Sequence, residues 1–204
     1  MDFSLEKKFS GLVVGIDEAG RGPLAGPVVA AAVAFTNYDL AYLAEINDSK
    51  KLTKAKREKI YAKLQADASV LKAVAQIDSE IIDQVNIFAA TKLAMQQALD
   101  ELQQPIAAIL VDGNQKMVSA KAEITPVIKG DAVSYSIAAA SIIAKVKRDL
   151  IMQQLDQQYP QYGFAGHAGY GTKAHRLALE QYGYCPVHRK SFEPVKSMVR
   201  QAAC

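Results

Sequence analysis

Four acidic side chains stand at or just beyond the ends of short apolar segments: Asp17, Glu18, Asp112 and Asp131. A carboxylate at the end of a buried strand loses hydration, which is costly unless something compensates the charge. Divalent cations such as Mg²⁺ and Mn²⁺ prefer oxygen ligands and supply that compensation. Four carboxylates can converge only if strong positive charge lies between them, because like charges repel. The pattern therefore predicts a site for two divalent ions, which suits in-line displacement at a phosphate.

A simpler interpretation of these acids remains open at this point. Each acid taken singly is typical of a turn, and a nucleic-acid-binding module whose acids are structural is an alternative to an enzyme. Neither histidine nor cysteine lies near the four acids in the sequence, which argues against zinc. We expect His167, His175 and His188 to be surface or capping residues, since a metal-activated water needs no histidine base.

The segment that follows Glu18 is rich in glycine and proline. Residues 20–27 contain three glycines and two prolines, which predict a stiff turn whose bare backbone N–H groups can approach a phosphate or sugar closely. Arg21 lies between Gly20 and Gly22, and its planar guanidinium carries several N–H donors that can bind a phosphate. Without the acids beside it, a Gly-Pro-rich connection of this kind would be read as a turn and nothing more.

Strand and helix signals predict an α/β fold that brings the acids together. Short apolar segments rich in β-branched residues predict strands, and apolar residues spaced for one face predict helices. The first two strands, joined by a short connection, are expected to be antiparallel neighbours, and the apolar run at 106–111 predicts a parallel strand covered on both faces. Ligand sites gather at the carboxyl ends of such strands. The predicted strands are 12–16, 28–35, 70–77, 106–111 and 124–128; the predicted helices are one from Thr53 to 66, a short one capped by Ser79, a longer one ending at 102, 134–158, one between Thr172 and Gly183, and 193–202.

The composition favours a nucleic-acid partner through the distribution of charge and not through its total. The chain has 204 residues, half of them hydrophobic, and a formal net charge of only +3. Residues 49–63 contain seven Lys and Arg against one Glu, and residues 163–204 contain six against two. Such clusters are typical of a polyanion partner, although either alone would fit a solvated helix face. Two cysteines, no signal peptide and no membrane-length apolar run favour a reducing cytoplasm and no membrane contact.

Several independent motifs run in order along nearly the whole chain. They are GIDEAGRGPLAGP at 15–27, NDSKKL at 47–52, VDGN at 111–114, KGD at 129–131, SIAAASIIAKV at 136–146 and YGF…H…GYGT at 162–172. Together they resemble the motifs of bacterial type 2 ribonuclease H, the ribonuclease HII family. The resemblance implies a ribonuclease H-like mixed sheet flanked by helices over residues 1–162, the catalytic domain, and a C-terminal helical substrate-holding extension over 163–204.

The resemblance also implies an activity. It is endonucleolytic cleavage of the RNA strand of RNA–DNA hybrids, and cleavage on the 5′ side of ribonucleotides embedded in duplex DNA, as in ribonucleotide excision repair. Two-metal-ion hydrolysis with Mn²⁺ or Mg²⁺ would leave 5′-phosphate and 3′-hydroxyl ends, and the enzyme is expected to be a monomer. A metal-dependent DNA-junction nuclease of the same fold is the alternative, while the two basic clusters disfavour a phosphatase of small molecules.

Roles for individual residues follow from the same resemblance. Asp17, Glu18, Asp112 and Asp131 match the catalytic, metal-holding acids of the family. The motif formed by Gly20, Arg21 and Gly22 matches the one that grips the backbone and senses the 2′-hydroxyl, and Tyr170 matches the tyrosine that stacks near the ribose–deoxyribose junction. Lys50 lies in a backbone-holding basic segment. One position departs from the pattern: Ala168 stands where the family usually has lysine, so a backbone-contacting cation is missing there.

Overall fold

A computed structural model describes residues 1–114 and 119–202 of the chain, so Cys204 lies outside the described part. Its centre is a five-stranded mixed sheet, whose strands are β1 Val13–Ala19, β2 Val28–Phe35, β3 Val70–Ile77, β4 Ala108–Asp112 and β5 Ile124–Val127. They lie in the order β3-β2-β1-β4-β5. The pairs β1–β2 and β2–β3 are antiparallel, whereas the pairs β1–β4 and β4–β5 are parallel. The predicted antiparallel pairing of the first two strands and the predicted parallel strand are thereby confirmed.

Seven α-helices in the described part surround this sheet, and most begin at a side-chain cap. The hydroxyl of Thr53 accepts a hydrogen bond from the Lys56 N–H, and that of Thr172 accepts one from the His175 N–H. Such caps satisfy N–H groups that the first helical turn leaves without partners. Both predicted caps are confirmed. The helices are α1 Lys54–Ala66, α2 Ser79–Val85, α3 Ile87–Glu101, α4 Tyr135–Gln158, α5 Phe164–His167, α6 Lys173–Tyr182 and α7 Val195–Ala202.

The hydrophobic core lies on both faces of the sheet. Helix α3 packs on one face through residues such as Met95, and α4 packs on the other through a run of small residues that includes Ala138 to Ala140. The approach of α4 is so close that a side chain at Gly15 would lie 2.3 Å from the backbone nitrogen of Ile137. Strand β4 contributes side chains to the core on both faces, as its continuous apolar run predicts.

Several element boundaries differ from the sequence-based expectation; β4, for example, covers Ala108–Asp112 instead of 106–111, and α7 begins at Val195 instead of 193. Strand β1 was expected to end at residue 16, but it continues to Ala19, so Asp17 and Glu18 pair within the sheet with Ala31 and Ala30 of β2. The cause is the unbroken apolar partner strand, which keeps hydrogen-bonding past the acids. Ser79 was expected to cap α2, but it is the first helical residue, and Asp78 takes the capping position without a side-chain bond.

The residues after α4 pack against the connection between β1 and β2. Leu24 and Ala25 of that connection share a hydrophobic cluster with Phe164 of α5, Leu179 of α6 and Val195 of α7. Backbone bonds reinforce this contact, since the Gly26 N–H donates to the Val187 carbonyl at 2.9 Å. The C-terminal part therefore supports the glycine-rich turn directly. No helix in the described ranges is both long and apolar enough to cross a membrane.

Candidate active site

The four predicted acids come from one edge of the sheet. Asp17 and Glu18 lie near the end of β1, Asp112 is the last residue of the neighbouring parallel strand β4, and Asp131 follows β5 in a short 3₁₀ turn, Gly130–Ala132. Because β1, β4 and β5 are adjacent and parallel, their carboxyl ends meet at this edge. The first three acids line a cleft of about 250 Å³.

Electrostatic coupling shows that the acids act on one another. Burial raises the pKa of Asp17 well above its ordinary value, and Glu18 and Asp112 raise it further. Burial also raises the pKa of Glu18, with Arg21 opposing this effect and Asp112 adding to it. The pKa of Asp131 rises through burial, then through the charges of Asp112 and Asp48. Negative charge at this edge is therefore poorly compensated by the protein alone.

The donors at this edge suit a hard divalent cation. They are carboxylate oxygens, which Mg²⁺ and Mn²⁺ prefer as ligands. The carboxylate of Asp112 is oriented by the protein itself, because the Gly130 N–H donates to its Oδ1 at 2.6 Å. Within residues 1–114 and 119–202, no three acidic, histidine or cysteine side chains close around a single point. Asp17, Glu18 and Asp112 thus line one cleft without forming a closed cage, and a cation is the charge that would relieve the mutual repulsion of the acids.

The glycine-rich turn forms the next wall of the cleft. Arg21 Nη1 donates to Glu18 Oε1 at 3.2 Å, so this arginine is anchored beside the acids. A side chain at Gly22 would lie 3.6 Å from Cε1 of Tyr170, which is 47% exposed. The turn and the tyrosine loop therefore face each other across the cleft. The structure places Gly20, Arg21, Gly22 and Tyr170 in the same cleft as three of the acids.

Gly20 serves a purpose that the sequence did not reveal. We expected its missing side chain to allow the substrate to approach, but a Cβ at Gly20 would point inward and lie 2.0 Å from Nε of Arg148. Its φ of +97° is also a conformation that other residues rarely adopt. Glycine is therefore required here by the packing beneath the turn, whatever the substrate does above it.

The basic segment 49–63 reaches the same cleft through its first turn. Lys50 is exposed and lies near enough to Asp131 to lower its pKa, against the stronger opposing effect of burial. Arg57 supports this turn, because its Nη1 donates to the carbonyls of Ser49 and Leu52. The Ser49 and Ser141 hydroxyls lie 2.9 Å apart, and a hydrogen bond from Ser141 lowers the pKa of Asp17 against its burial. Ser141 therefore connects the turn that carries Lys50 to Asp17.

Sequence reasoning missed several residues of this region. Asp48 lies in the motif NDSKKL but was given no role, although an acid two residues before the lysines of the basic segment is a usable signal. Ser141 lies in the motif SIAAASIIAKV, and nothing in the local pattern distinguishes it. Arg189 was counted in the basic cluster 163–204 and Arg148 was given no role, but their exposed fractions are 0% and 1%.

The prediction for the histidines was wrong in part. His175 and His188 are buried, and their Nε2 atoms lie 3.0 Å apart, while the ring of His167 stacks on His175 at 4.5 Å between centroids. His188 also contacts the thiol of the free, buried Cys185. The cluster forms because α5, α6 and the loop before α7 converge behind Tyr170. The cluster contacts the loop of Tyr170 through the bond between His175 Nδ1 and the Tyr170 carbonyl oxygen. None of its histidines lines the cleft that contains the acids.

Acids from adjacent strands at one edge of a mixed sheet, beside a cleft walled with arginine and lysine, define a metal-dependent phosphodiester hydrolase of the ribonuclease H-like class. The chain belongs to the ribonuclease HII family, whose model, described as Ribonuclease HII, matches residues 14–195.

Similar proteins support this assignment. A Ribonuclease HII of Wolbachia sp. subsp. Brugia malayi (strain TRS) is 47% identical over 204 residues, covering 98% of this chain and 97% of its own. One of Acidovorax sp. (strain JS42) is 54% identical over 185 residues, covering 91% and 87%. The crystal structure of ribonuclease H2 from Pyrococcus horikoshii OT3 matches with a TM-score of 0.78 at 27% identity, covering 94% and 98%. The expected family, fold and ribonuclease H activity on RNA–DNA hybrids are confirmed, and the family depends on a divalent metal.

Proposed function

We propose that this protein cleaves the RNA strand of RNA–DNA hybrids, and duplex DNA on the 5′ side of an embedded ribonucleotide, within the cleft lined by Asp17, Glu18 and Asp112. The observation that carries the proposal is the placement of these three acids in one cleft at one sheet edge, beside the cationic side chains of Arg21, Lys50 and Lys145. The products are a 5′-phosphate and a 3′-hydroxyl, as in-line attack by water on a phosphodiester gives.

The same four acids are proposed to hold Mn²⁺ or Mg²⁺. When bound, a pair of such ions activates the attacking water and stabilises the leaving oxygen. The residues of this chain supply the binding geometry. The Gly130 N–H orients Asp112, the Ser141 hydroxyl orients Asp17, and Arg21 holds Glu18 toward the cleft. No histidine is required as a base, in keeping with the placement of all three histidines in a cluster away from the acids.

Gly20, Arg21, Gly22, Lys50 and Tyr170 are proposed to hold the substrate. A ribose differs from a deoxyribose by one hydroxyl that both donates and accepts. A site built to bond that hydroxyl rejects the analogue without it, because the polar groups of the site are then left unpaired. The cationic side chains contact phosphates, which position a duplex without specifying its bases. Cleavage is therefore expected to be independent of base sequence.

Residues 163–204 are proposed to act as a substrate-holding extension. Apart from the buried Arg189, they contain five exposed Lys and Arg against two acids, and they carry Tyr170 to the cleft. Removing one cation from this segment, as in Lys173→Ala, is expected to weaken binding about equally for all duplexes and to flatten its salt dependence.

The deciding experiment compares wild type with Asp112→Asn on a panel of four labelled duplexes: an RNA–DNA hybrid, DNA with one ribonucleotide, plain DNA and a branched DNA junction. We expect wild type with Mn²⁺ or Mg²⁺ to cut the first two only, and the variant to bind them without hydrolysis. Cleavage of the ribose-free junction would instead support the DNA-junction nuclease, and undiminished turnover by the variant would remove Asp112 from the site. Lys92→Ala on α3 is the control for effects of substitution outside the cleft.

A further inference from the structure

Two arginines are wholly buried beneath the cleft. Arg148 of α4 is 1% exposed and Arg189, in the loop before α7, is 0% exposed. Neither belongs to an ion pair among the described residues, whose salt bridges involve other side chains. A buried cation without a carboxylate partner is a costly arrangement. An arrangement that costs stability at this place in the fold requires an explanation other than packing.

Arg148 joins the two loops that face the cleft. Its Nε donates to the Pro27 carbonyl at 2.9 Å and its Nη2 to the Ala25 carbonyl at 3.1 Å, both in the turn after β1. Its Nη1 donates to the Ala168 carbonyl at 2.9 Å, two residues before Tyr170. One planar guanidinium thus fixes the distance and angle between the glycine-rich turn and the tyrosine loop, which a flexible ammonium would do less rigidly.

Arg189 binds the same turn through other carbonyls. Its Nη2 donates to the Gly20 carbonyl at 2.6 Å, its Nη1 to the Arg21 carbonyl at 2.9 Å, and its Nε to the Gly26 carbonyl at 3.0 Å. In a planar trans peptide, the carbonyl of one residue and the N–H of the next point in opposite directions. Holding the Gly20 and Arg21 carbonyls inward therefore turns the N–H groups of Arg21 and Gly22 away from Arg189.

The burial of both cations has a second consequence. Burial lowers the pKa of Arg189 to about 9, with the charge of nearby Arg148 adding to the effect, and burial lowers the pKa of Arg148 to about 10. The two guanidiniums are thus close enough to repel each other beneath one loop. An anionic phosphate bound above that loop would reduce this repulsion, since opposite charges favour the charged form.

We propose that Arg148 and Arg189 are positioning residues for ribose discrimination: they orient the backbone N–H groups of the glycine-rich turn and fix the spacing between that turn and Tyr170. This inference rests on the proposed role of that turn in sensing the 2′-hydroxyl. It assigns the specificity of the enzyme in part to two side chains that touch no substrate atom.

The test uses Arg148→Lys and Arg189→Lys, which keep the positive charge but lose the planar guanidinium that donates to several carbonyls at once. Met95→Ala is the matched control, because Met95 of α3 is fully buried but shares no hydrophobic cluster with Leu24 and Ala25 of the turn. For each protein, KM and kcat are measured on duplex DNA with one ribonucleotide, and Ki is measured for plain duplex DNA as a competitor. The ratio of Ki to KM reports discrimination, and thermal melting reports stability.

We expect each lysine variant to lose about 100-fold in kcat/KM, the effect of a misplacement near 1 Å, and to show a raised KM, so that the ratio of Ki to KM falls. Ki for plain DNA should stay within a factor of about two, because the charge is retained. The control should melt at a lower temperature with an unchanged ratio. A wild-type ratio in both lysine variants, or the failure of both to fold, would overturn the proposal. A wild-type ratio of Ki to KM near one would show that the enzyme does not distinguish ribose from deoxyribose. That result would contradict the proposed role of the turn, and with it this inference.

Discussion

The guanidinium of Arg21 lies 5.1 Å from the centre of the Phe88 ring, while its Nη1 lies 3.2 Å from Glu18. Phe88 is 62% exposed in the first turn of α3, where Asn86 caps the helix. An exposed aromatic ring is unusual unless it contacts something. Here the ring supports an arginine that is pulled toward an acid on its other side, so the direction of Arg21 into the cleft depends on both contacts.

Replacement of Phe88 by alanine is expected to weaken substrate binding while leaving folding nearly unchanged. A cation–π contact at an exposed site contributes about 0.5–1 kcal/mol, so KM should rise about two- to fivefold. Steady-state kinetics on duplex DNA with one ribonucleotide measures this, with Phe88→Tyr as the control that keeps the ring. Equal KM values for all three proteins would show that Phe88 does not guide Arg21.

Gly20→Ala and Gly22→Ala form a matched pair with different expected outcomes. A side chain at Gly20 would collide with Arg148 and occupy a strained φ, so urea unfolding should show a loss of at least about 2 kcal/mol, together with lower activity. A side chain at Gly22 meets only an ordinary contact with Tyr170. Its stability should change by less than about 0.5 kcal/mol, while KM rises because the cleft narrows. A stable Gly20→Ala enzyme would contradict the packing described here.

The histidine cluster predicts acid-sensitive stability. Burial, then the charge of His175, lowers the pKa of His188 to about 4. His188 therefore stays neutral in the fold while the unfolded chain gains a proton below about pH 6.5. Its contribution to the free energy of unfolding is complete above pH 6.5 and falls by about 3 kcal/mol as the pH drops to 4.

The measurement is urea unfolding of wild type and His188→Gln between pH 4 and 7. The acids Asp17 and Asp131 have raised pKa values and act in the opposite direction, but they are common to both proteins and cancel in the difference. The two stability curves should converge as the pH falls. Curves that stay parallel would mean that His188 titrates alike in the folded and the unfolded chain, so that burial does not lower its pKa.

Ala168 offers a test of the groove beside Tyr170. It has a φ of 48°, and it lines a groove together with Lys54, Lys145 and Tyr170. Ala168→Lys adds a cation at this groove and should tighten duplex binding and steepen its salt dependence by about one counterion. Ala168→Gly is the control: it suits the left-handed backbone without adding charge. If the lysine variant shows the salt slope of the glycine variant, the groove does not contact the phosphate backbone.

Much of the fold follows from local pattern. Strands β2 and β3 were predicted at their observed bounds, and the caps Thr53 and Thr172 were predicted from residue type alone, because apolar periodicity and capping depend on neighbours in the sequence. The four acids were found for the same reason: each stands near the end of an apolar strand. The motifs shared with the ribonuclease HII family then indicated the activity.

What the sequence alone determined is therefore the strands, most of the helices and the family, together with a prediction of the four acids. Only the tertiary structure showed that helix α5 forms, that Gly20 is required by Arg148, that Ser141 reaches Asp17, and that His175 and His188 are buried. These contacts join residues far apart in the chain, such as Arg189 and Gly20, which are separated by 169 positions. Local periodicity shows which side chains face inward on an element, but it does not show which distant groups they meet once the helices have packed on the sheet.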